Sequence, residues 1–147
     1  MTGLSSRISR FYESLEARDW SALEELLDPD IVYEVPQTRE RVSGRAAYLR
    51  FNQEYPGDWH LVVRAVHENG SGGAAEVCFC VGGEEMVNVA FFELSAERVR
   101  AIRDYWPEPY EPPPGRERLV QRYRATRRAI MDGGSSDRST NAGVAQW

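Results

Sequence analysis

The spacing of hydrophobic residues predicts helices early in the chain and strands after them. Ile8, Phe11, Tyr12 and Leu15 recur three or four positions apart, as on one face of a helix. The other predicted elements are helix 20–27, strand 31–35, helix 45–54, strands 59–68, 74–81, 86–94 and 99–106, and helix 116–131. Turn residues join the last four strands as hairpins, which favours an α+β domain over βαβ units.

The strand at 99–106 carries the most informative polar residue. Strict alternation places Ile102, Asp104 and Trp106 on one face, and two prolines end the strand. A carboxylate between two apolar side chains is either a satisfied structural acid or a working one. The sequence leaves both interpretations of Asp104 open.

Composition and charge narrow the class of partner. The chain has 147 residues with 41% hydrophobic content, enough for one domain with a real core. Its net charge of -5 argues against nucleic acid or an anionic membrane as the main partner. No apolar run has the length of a membrane span or of a signal-peptide core, so we expect a cytoplasmic protein.

The two cysteines predict neither a disulfide nor a metal site. Cys78 and Cys80 are two residues apart on one predicted strand, a geometry that does not easily bridge. His60 and His67 stand at no recognised ligand spacing from them. We therefore expect reduced core cysteines and no metal.

Five short sequence words carry a family resemblance. They are F-Y-E-S-L-E-A-R-D-W-S-A-L, G-R-A-A-Y-L, Y-P-G-D-W-H-L, F-F-E-L and D-Y-W-P-E-P-Y. In this order, over about residues 4–117, they resemble the SnoaL-like branch of the nuclear transport factor 2 superfamily. The resemblance implies a cone, in which a curved antiparallel sheet wraps around the N-terminal helices and a pocket opens at one end. We assign this domain to residues 1–117, a C-terminal helix to 118–131 and a disordered tail to 132–147.

The same resemblance limits the possible functions to two classes. Its members include polyketide cyclases, epoxide hydrolases, isomerases and proteins without known chemistry, so the fold does not settle function. The first expectation is cofactor-independent acid/base chemistry on a hydrophobic carbonyl or epoxide compound. The alternative is a non-catalytic ligand-binding or dimeric interaction module of the same fold.

Two carboxylates are the candidate catalytic residues. In the cyclases and epoxide hydrolases a catalytic aspartate falls at Asp104, and the second hydrolase aspartate falls at Glu76. The resemblance therefore implies a pair that shares a proton, unless Glu76 lies in an ion pair on a solvated face. The hydrolase arginine falls on Ala74, and Arg64 could replace it only if its side chain points inward.

Steroid-isomerase chemistry is not expected. The general base of that branch falls on Val35 and its oxyanion-hole aspartate near Ala90, and neither side chain can take or give a proton.

The remaining candidates form a predicted ligand-binding lining. These residues are Tyr12, Tyr33, Phe51, Trp59, Asn88, Phe92, Ile102 and Trp106. The resemblance implies that Ile102, Asp104 and Trp106 of the last strand face the pocket, and sheet pairing then predicts Glu76, Cys78 and Ala90 on the same inner face. His60 at the predicted mouth is either a titrating group or simply solvated.

The apolar pattern of the opposite, outer sheet face indicates that a partner chain covers it. It is expected to carry apolar residues, namely Val77, Phe79, Val81, Val87, Val89 and Phe91. A sheet that is apolar on both faces needs a second cover, and relatives commonly dimerise through this face. We therefore expect a homodimer, in which the stiff proline-rich arm 107–114 either closes the pocket mouth or crosses to the partner.

Overall fold

A computed structural model describes residues 6–125 of the chain. Within this range the helices are α1 (Arg7–Ala17), α2 (Trp20–Leu26) and α3 (Arg45–Gln53). The strands are β1 (Leu27–Val35), β2 (Glu40–Ser43), β3 (His60–Glu68), β4 (Gly72–Val81), β5 (Glu84–Ser95) and β6 (Arg98–Tyr105). No helix among the described residues is long and apolar enough to cross a membrane.

The strands form one curved sheet in the order β2-β1-β6-β5-β4-β3. Strand β1 runs parallel to β6, and every other neighbouring pair is antiparallel. The predicted α+β fold is confirmed. Strand β2 was not predicted, because its four residues contain one apolar side chain, Val42, which pairs with Tyr33 of β1.

Helix α1 supplies much of the core and is fixed to the sheet at its N-terminal end. Its face of Ile8, Phe11, Tyr12 and Leu15 is buried, as the spacing predicts. The Ser6 hydroxyl caps its first turn by accepting the Ser9 N–H at 2.9 Å. Two further contacts fix the helix to the sheet, since Glu68 accepts the Ile8 N–H at 3.0 Å and pairs with Arg7 at 3.0 Å.

The register of β4 decides which side chains face inward, and here the sequence interpretation is wrong. Val77 lies opposite Asn88, whereas Glu76 lies opposite Val89, which in turn lies opposite Tyr105. Glu76 and Cys78 therefore lie on the outer face, and Val77, Phe79 and Val81 lie on the inner one. Because side chains alternate strictly, an error of one residue moves the whole strand's pattern to the opposite face.

The prediction for β5 and β6 agrees with the observed register. Ala90 lies opposite Asp104 and Phe92 opposite Ile102, so these residues share the inner face with Asn88. The β5 residues that alternate with these, Val87, Val89 and Phe91, lie on the outer face.

The first compact unit of the chain ends at Trp106 and a second begins at Pro107. The helix predicted over 118–131 is wrong in its described part, where one 3-10 turn, Glu117–Leu119, is followed by irregular chain to residue 125. Leu119 and Tyr123 are 79% and 84% exposed, so no buried apolar face supports a helix there. Residues 126–131 of that prediction and the predicted tail 132–147 lie outside the described residues.

Candidate functional site

A cavity of about 60 Å³ lies between α1, α3 and the inner face of the sheet. Most of its lining is aromatic, from Phe11, Tyr12, Tyr33, Tyr48, Phe51, Tyr55, Trp59, Phe79 and Trp106. The other lining residues are Leu15, Asn52, Leu61, Asn88, Ile102 and Asp104. Tyr55 is 39% exposed, so the cavity reaches solvent beside it.

Asp104 is the one charged side chain in this lining. The Tyr33 hydroxyl donates to Asp104 Oδ2 at 2.5 Å, and the Asn88 side chain donates a second hydrogen bond to the carboxylate. Burial raises the pKa of Asp104 to about 6, against these two hydrogen bonds, which lower it. At neutral pH the group is therefore mostly an ionised carboxylate, close enough to its pKa to accept and return a proton.

The strands on either side of β6 position the two donors. Tyr33 comes from β1, whose parallel pairing sets Tyr33 beside Ile102. Asn88 comes from β5, and its amide also donates to the Tyr105 carbonyl at 3.2 Å. The same side chain acts on Asp104 by lowering the pKa of the carboxyl.

Three tyrosine hydroxyls surround the carboxylate and stay protonated. Burial, together with the charge of Asp104, raises the pKa values of Tyr12, Tyr33 and Tyr48 well above the ordinary tyrosine value. Tyr12 is 6% exposed, and its hydroxyl forms no hydrogen bond with any described residue. A buried hydroxyl of this kind normally has a partner, so Tyr12 has a donor available for a ligand oxygen.

The structure brings most of the predicted lining together. Seven of the predicted ligand-binding residues line the cavity with Asp104: Tyr12, Tyr33, Phe51, Trp59, Asn88, Ile102 and Trp106. The eighth, Phe92, lies behind them in the core, where its ring contacts those of Phe11 and Tyr12 at 5.3 and 5.9 Å. Their roles in binding remain predictions.

The predicted pairing of Asp104 with Glu76 is wrong. Glu76 is exposed on the outer sheet face, while Asp104 lies on the inner one. The inner positions of that strand are apolar, at Ala75 and Val77. The amide of Asn88, one strand closer, contacts the carboxylate instead.

The other polar candidates also lie outside the cavity. Arg64 interacts with Cys78 on the outer face, and the two cysteine sulfurs are 3.9 Å apart. His60 is solvated and bonded to Glu16 at 2.8 Å, and this hydrogen bond raises the pKa of the imidazole. Among the described residues, no three His, Cys, Asp or Glu side chains come together as a metal site.

Several lining residues were missed by sequence reasoning as parts of a site. Three of these are Tyr48, Asn52 and Tyr55, which together with the predicted Phe51 recur at helical spacing along α3 and just past its end. That spacing was the available signal, although it indicates core packing as readily as a cavity wall.

The chain is similar to known proteins in both sequence and fold. The sequence model for the SnoaL-like domain matches residues 8–102. No curated protein matches the chain. A solved structure from Kribbella flavida, provisionally named a ketosteroid isomerase, is 47% identical with a TM-score of 0.76, and the match covers 80% of this chain and 87% of that one.

More distant structures share the fold. An M. tuberculosis LEH-like epoxide hydrolase is 18% identical with a TM-score of 0.60, over 69% of this chain and 80% of its own. A protein from Xanthomonas campestris, provisionally named a polyketide cyclase, is 22% identical with a TM-score of 0.59, over 69% of this chain and 87% of its own. The chain belongs to the SnoaL-like domain family, with the nuclear transport factor 2-like fold.

Proposed function

We propose that this protein is an enzyme that performs acid/base chemistry without a cofactor on a small hydrophobic carbonyl or epoxide compound. The observation that carries the proposal is Asp104, a carboxylate on the wall of an aromatic cavity, whose pKa burial raises to about 6. A group with that pKa is matched to proton transfer near neutrality.

The chemistry requires one base and one donor. Ionised Asp104 takes a proton either from a carbon next to a carbonyl or from a water molecule that then opens an epoxide. In the first case the C–H electrons pass to the carbonyl oxygen, which becomes an enolate oxygen and accepts a hydrogen bond from the donor, and Asp104 then returns the proton to carbon so that the carbonyl forms again. In the second case a water oxygen bonds to an epoxide carbon, the C–O bond breaks, and the opened oxygen receives the proton.

Neutral tyrosine hydroxyls fit the donor role. Tyr33 is already bonded to Asp104 and holds the carboxylate in place. Tyr12 has no protein partner among the described residues and lies close enough to Asp104 for the two to interact electrostatically. We assign Tyr12 to hydrogen bonding with the substrate oxygen, where negative charge develops.

The cavity supports a small substrate of low polarity. Its volume of about 60 Å³ suits a small molecule rather than a large one. We propose that it is a hydrophobic ligand pocket. Steroid-isomerase activity is not proposed, because the positions of its two acids carry Val35 and Ala90, both buried and apolar.

The reaction class is tested with small cyclic probes. Purified protein is incubated in D2O with cyclopentanone, and loss of the α-proton signal is followed by proton NMR. Cyclopentene oxide is incubated separately and its diol product is quantified. Catalysed exchange or hydration supports the proposal. Rates equal to those in buffer alone for both probes favour a non-catalytic ligand-binding module instead.

The second candidate is a non-catalytic ligand-binding module. One observation favours it: Asp104 already accepts hydrogen bonds from Tyr33 and Asn88, and no second carboxylate lines the cavity among the described residues. A structural acid held in this way would bind a ligand without transforming it.

We also propose a homodimer that forms through the outer sheet face. Three side chains there remain only partly covered: Val87, Val89 and Phe91, the last 40% exposed. The Phe91 ring contacts Tyr105 at 5.9 Å and lies beside the Arg103 guanidinium, an aromatic and arginine combination that is enriched at protein interfaces.

Replacement of Phe91 by glutamate is expected to convert the dimer to a monomer, because a charge is then buried in an apolar interface. The molar mass is measured by light scattering after size exclusion. Val63→Glu is the matched control, since Val63 is 38% exposed but lies opposite Val77 and so on the other face. A wild-type protein that is already monomeric at micromolar concentration would contradict the proposal.

A further inference from the structure

The cavity combines a carboxylate with aromatic walls, and none of the described residues that line it carries a positive charge. No Arg or His belongs to its lining, and no described cationic side chain forms an ion pair with Asp104. Carboxylates withdrawn from water are usually paired with a cation or bound to a metal. Here neutral donors from Tyr33 and Asn88 take that place.

The walls of the same cavity are suited to a positive charge. The faces of tryptophan, tyrosine and phenylalanine rings carry negative electrostatic potential and attract organic cations. On one wall the Phe79 ring contacts those of Trp59 and Trp106, with centroids 6.4 and 5.4 Å away. The Arg18 guanidinium already stacks on Trp59, 3.5 Å from the ring centroid, so this wall accepts a cation within the fold itself. Tyr33, Tyr48 and Phe51 form a second group, with centroids 5.0 to 6.3 Å apart.

We propose that this cavity binds a small organic ammonium compound, with the cationic group between the aromatic walls and near the Asp104 carboxylate. The ligand can be a substrate that itself carries an amine. It can also be a different molecule that competes with the substrate for the cavity. The proposal concerns binding in the same cavity and does not depend on turnover.

The alternatives fit the cavity less well. An anion would meet Asp104 with no basic side chain in the lining to offset the repulsion. A metal ion would find a single carboxylate, because no cluster of three ligating side chains exists among the described residues. A methylated or alkyl ammonium instead gains both from the apolar rings and from the carboxylate.

The test compares two probes of the same shape and different charge. Choline and 3,3-dimethylbutan-1-ol differ in a quaternary nitrogen against a quaternary carbon. Binding of each to the wild-type protein is measured by isothermal titration calorimetry, with intrinsic tryptophan fluorescence as a second readout. We expect choline to bind at least about tenfold tighter than the alcohol, in line with cation–π and charge attraction in a desolvated site.

Two variants locate the binding. Asp104→Asn keeps the shape of the side chain and removes its charge, so it is expected to abolish most of the preference for choline. Glu76→Gln makes the same chemical change on the exposed outer face and should leave the preference intact.

The pH dependence provides a test that needs no variant. Choline affinity should rise from pH 5 to pH 7.5 as Asp104 ionises, while alcohol affinity stays flat. Tyr12, Tyr33 and Tyr48 interact with Asp104, and their raised pKa values keep them neutral throughout this range. Tyr55 is the remaining titratable side chain of the described lining.

Four outcomes overturn the proposal: no binding of choline, equal affinity for both probes, a preference that survives in Asp104→Asn, or a choline affinity that does not change with pH. The proposal is supported if the preference for choline is lost in Asp104→Asn and retained in Glu76→Gln. Because every readout is binding, a protein that fails all turnover assays can still bind choline, and an active enzyme can still reject it.

Discussion

Replacement of Asp104 by asparagine is expected to lower turnover of whichever cyclic probe the wild type accepts by about 10²–10⁴-fold, the usual contribution of a general base. The amide oxygen can still accept a hydrogen bond from the Tyr33 hydroxyl, so the local packing is retained. The amide cannot take a proton at neutral pH, and the base is lost. The rate is measured by NMR at pH 7.5 under saturating probe.

Glu76→Gln is the matched control for that measurement. It changes the other carboxylate that the sequence implicated, which lies exposed on the outer face, and the rate should stay within about twofold of wild type because surface changes are usually mild. An Asp104→Asn variant with wild-type turnover would remove Asp104 from the mechanism. Equal losses in both variants would show that Glu76 acts with it after all.

The second large effect is on stability: Phe11→Ala should lower the free energy of unfolding by about 3–5 kcal/mol. The Phe11 side chain is 2% exposed. Its ring centroid lies 5.0 Å from that of Tyr12, 5.3 Å from that of Phe92 and 6.4 Å from that of Tyr48. Truncation leaves a void at the point where α1 meets the cavity, and the three neighbours lose packing together. Urea denaturation followed by tryptophan fluorescence gives the value.

Tyr110→Ala serves as the control for Phe11→Ala. Tyr110 is 85% exposed, so removing this ring should change the free energy of unfolding by no more than about 0.5 kcal/mol. If the Phe11→Ala variant does not fold, Phe11→Leu provides a milder change of the same sign. Equal stability of Phe11→Leu and wild type would show that the ring does not hold α1 to the sheet.

The inner faces of β5 and β6 could be predicted from sequence because one polar residue marks each of them. Asn88 and Asp104 stand among apolar residues, and alternation from those two positions identifies Ala90, Phe92 and Ile102 correctly. Helix α1 was equally clear, since its apolar residues recur on one face.

The register of β4 could not be predicted in the same way. Val77 and Phe79 on one face and Cys78 and Cys80 on the other are all apolar, so alternation does not distinguish inside from outside. The strand begins at Gly72, inside a glycine-rich stretch that leaves the hairpin register open. The prediction that the one polar residue, Glu76, faces inward rests on sheet pairing and on the resemblance to the epoxide hydrolases, and neither fixes the register.

The environment of Asp104 depends on tertiary structure. Tyr12, Tyr33 and Tyr48 come from α1, β1 and α3, and no local pattern relates them. Their convergence on one carboxylate follows from how the helices pack against the sheet.

The central claim is that Asp104 is a cavity base poised near neutrality, and its carboxyl titration measures that directly. Protein labelled with ¹³C at aspartate side-chain carboxyls is titrated by NMR, and the Asp104 resonance is assigned by its absence in Asp104→Asn. A cavity base of this kind has a midpoint near 6, with the ionised form present above it and lost below it. A midpoint at or below the ordinary aspartate value of about 3.9 would contradict the claim, because such a group is a structural acid held in its charged form.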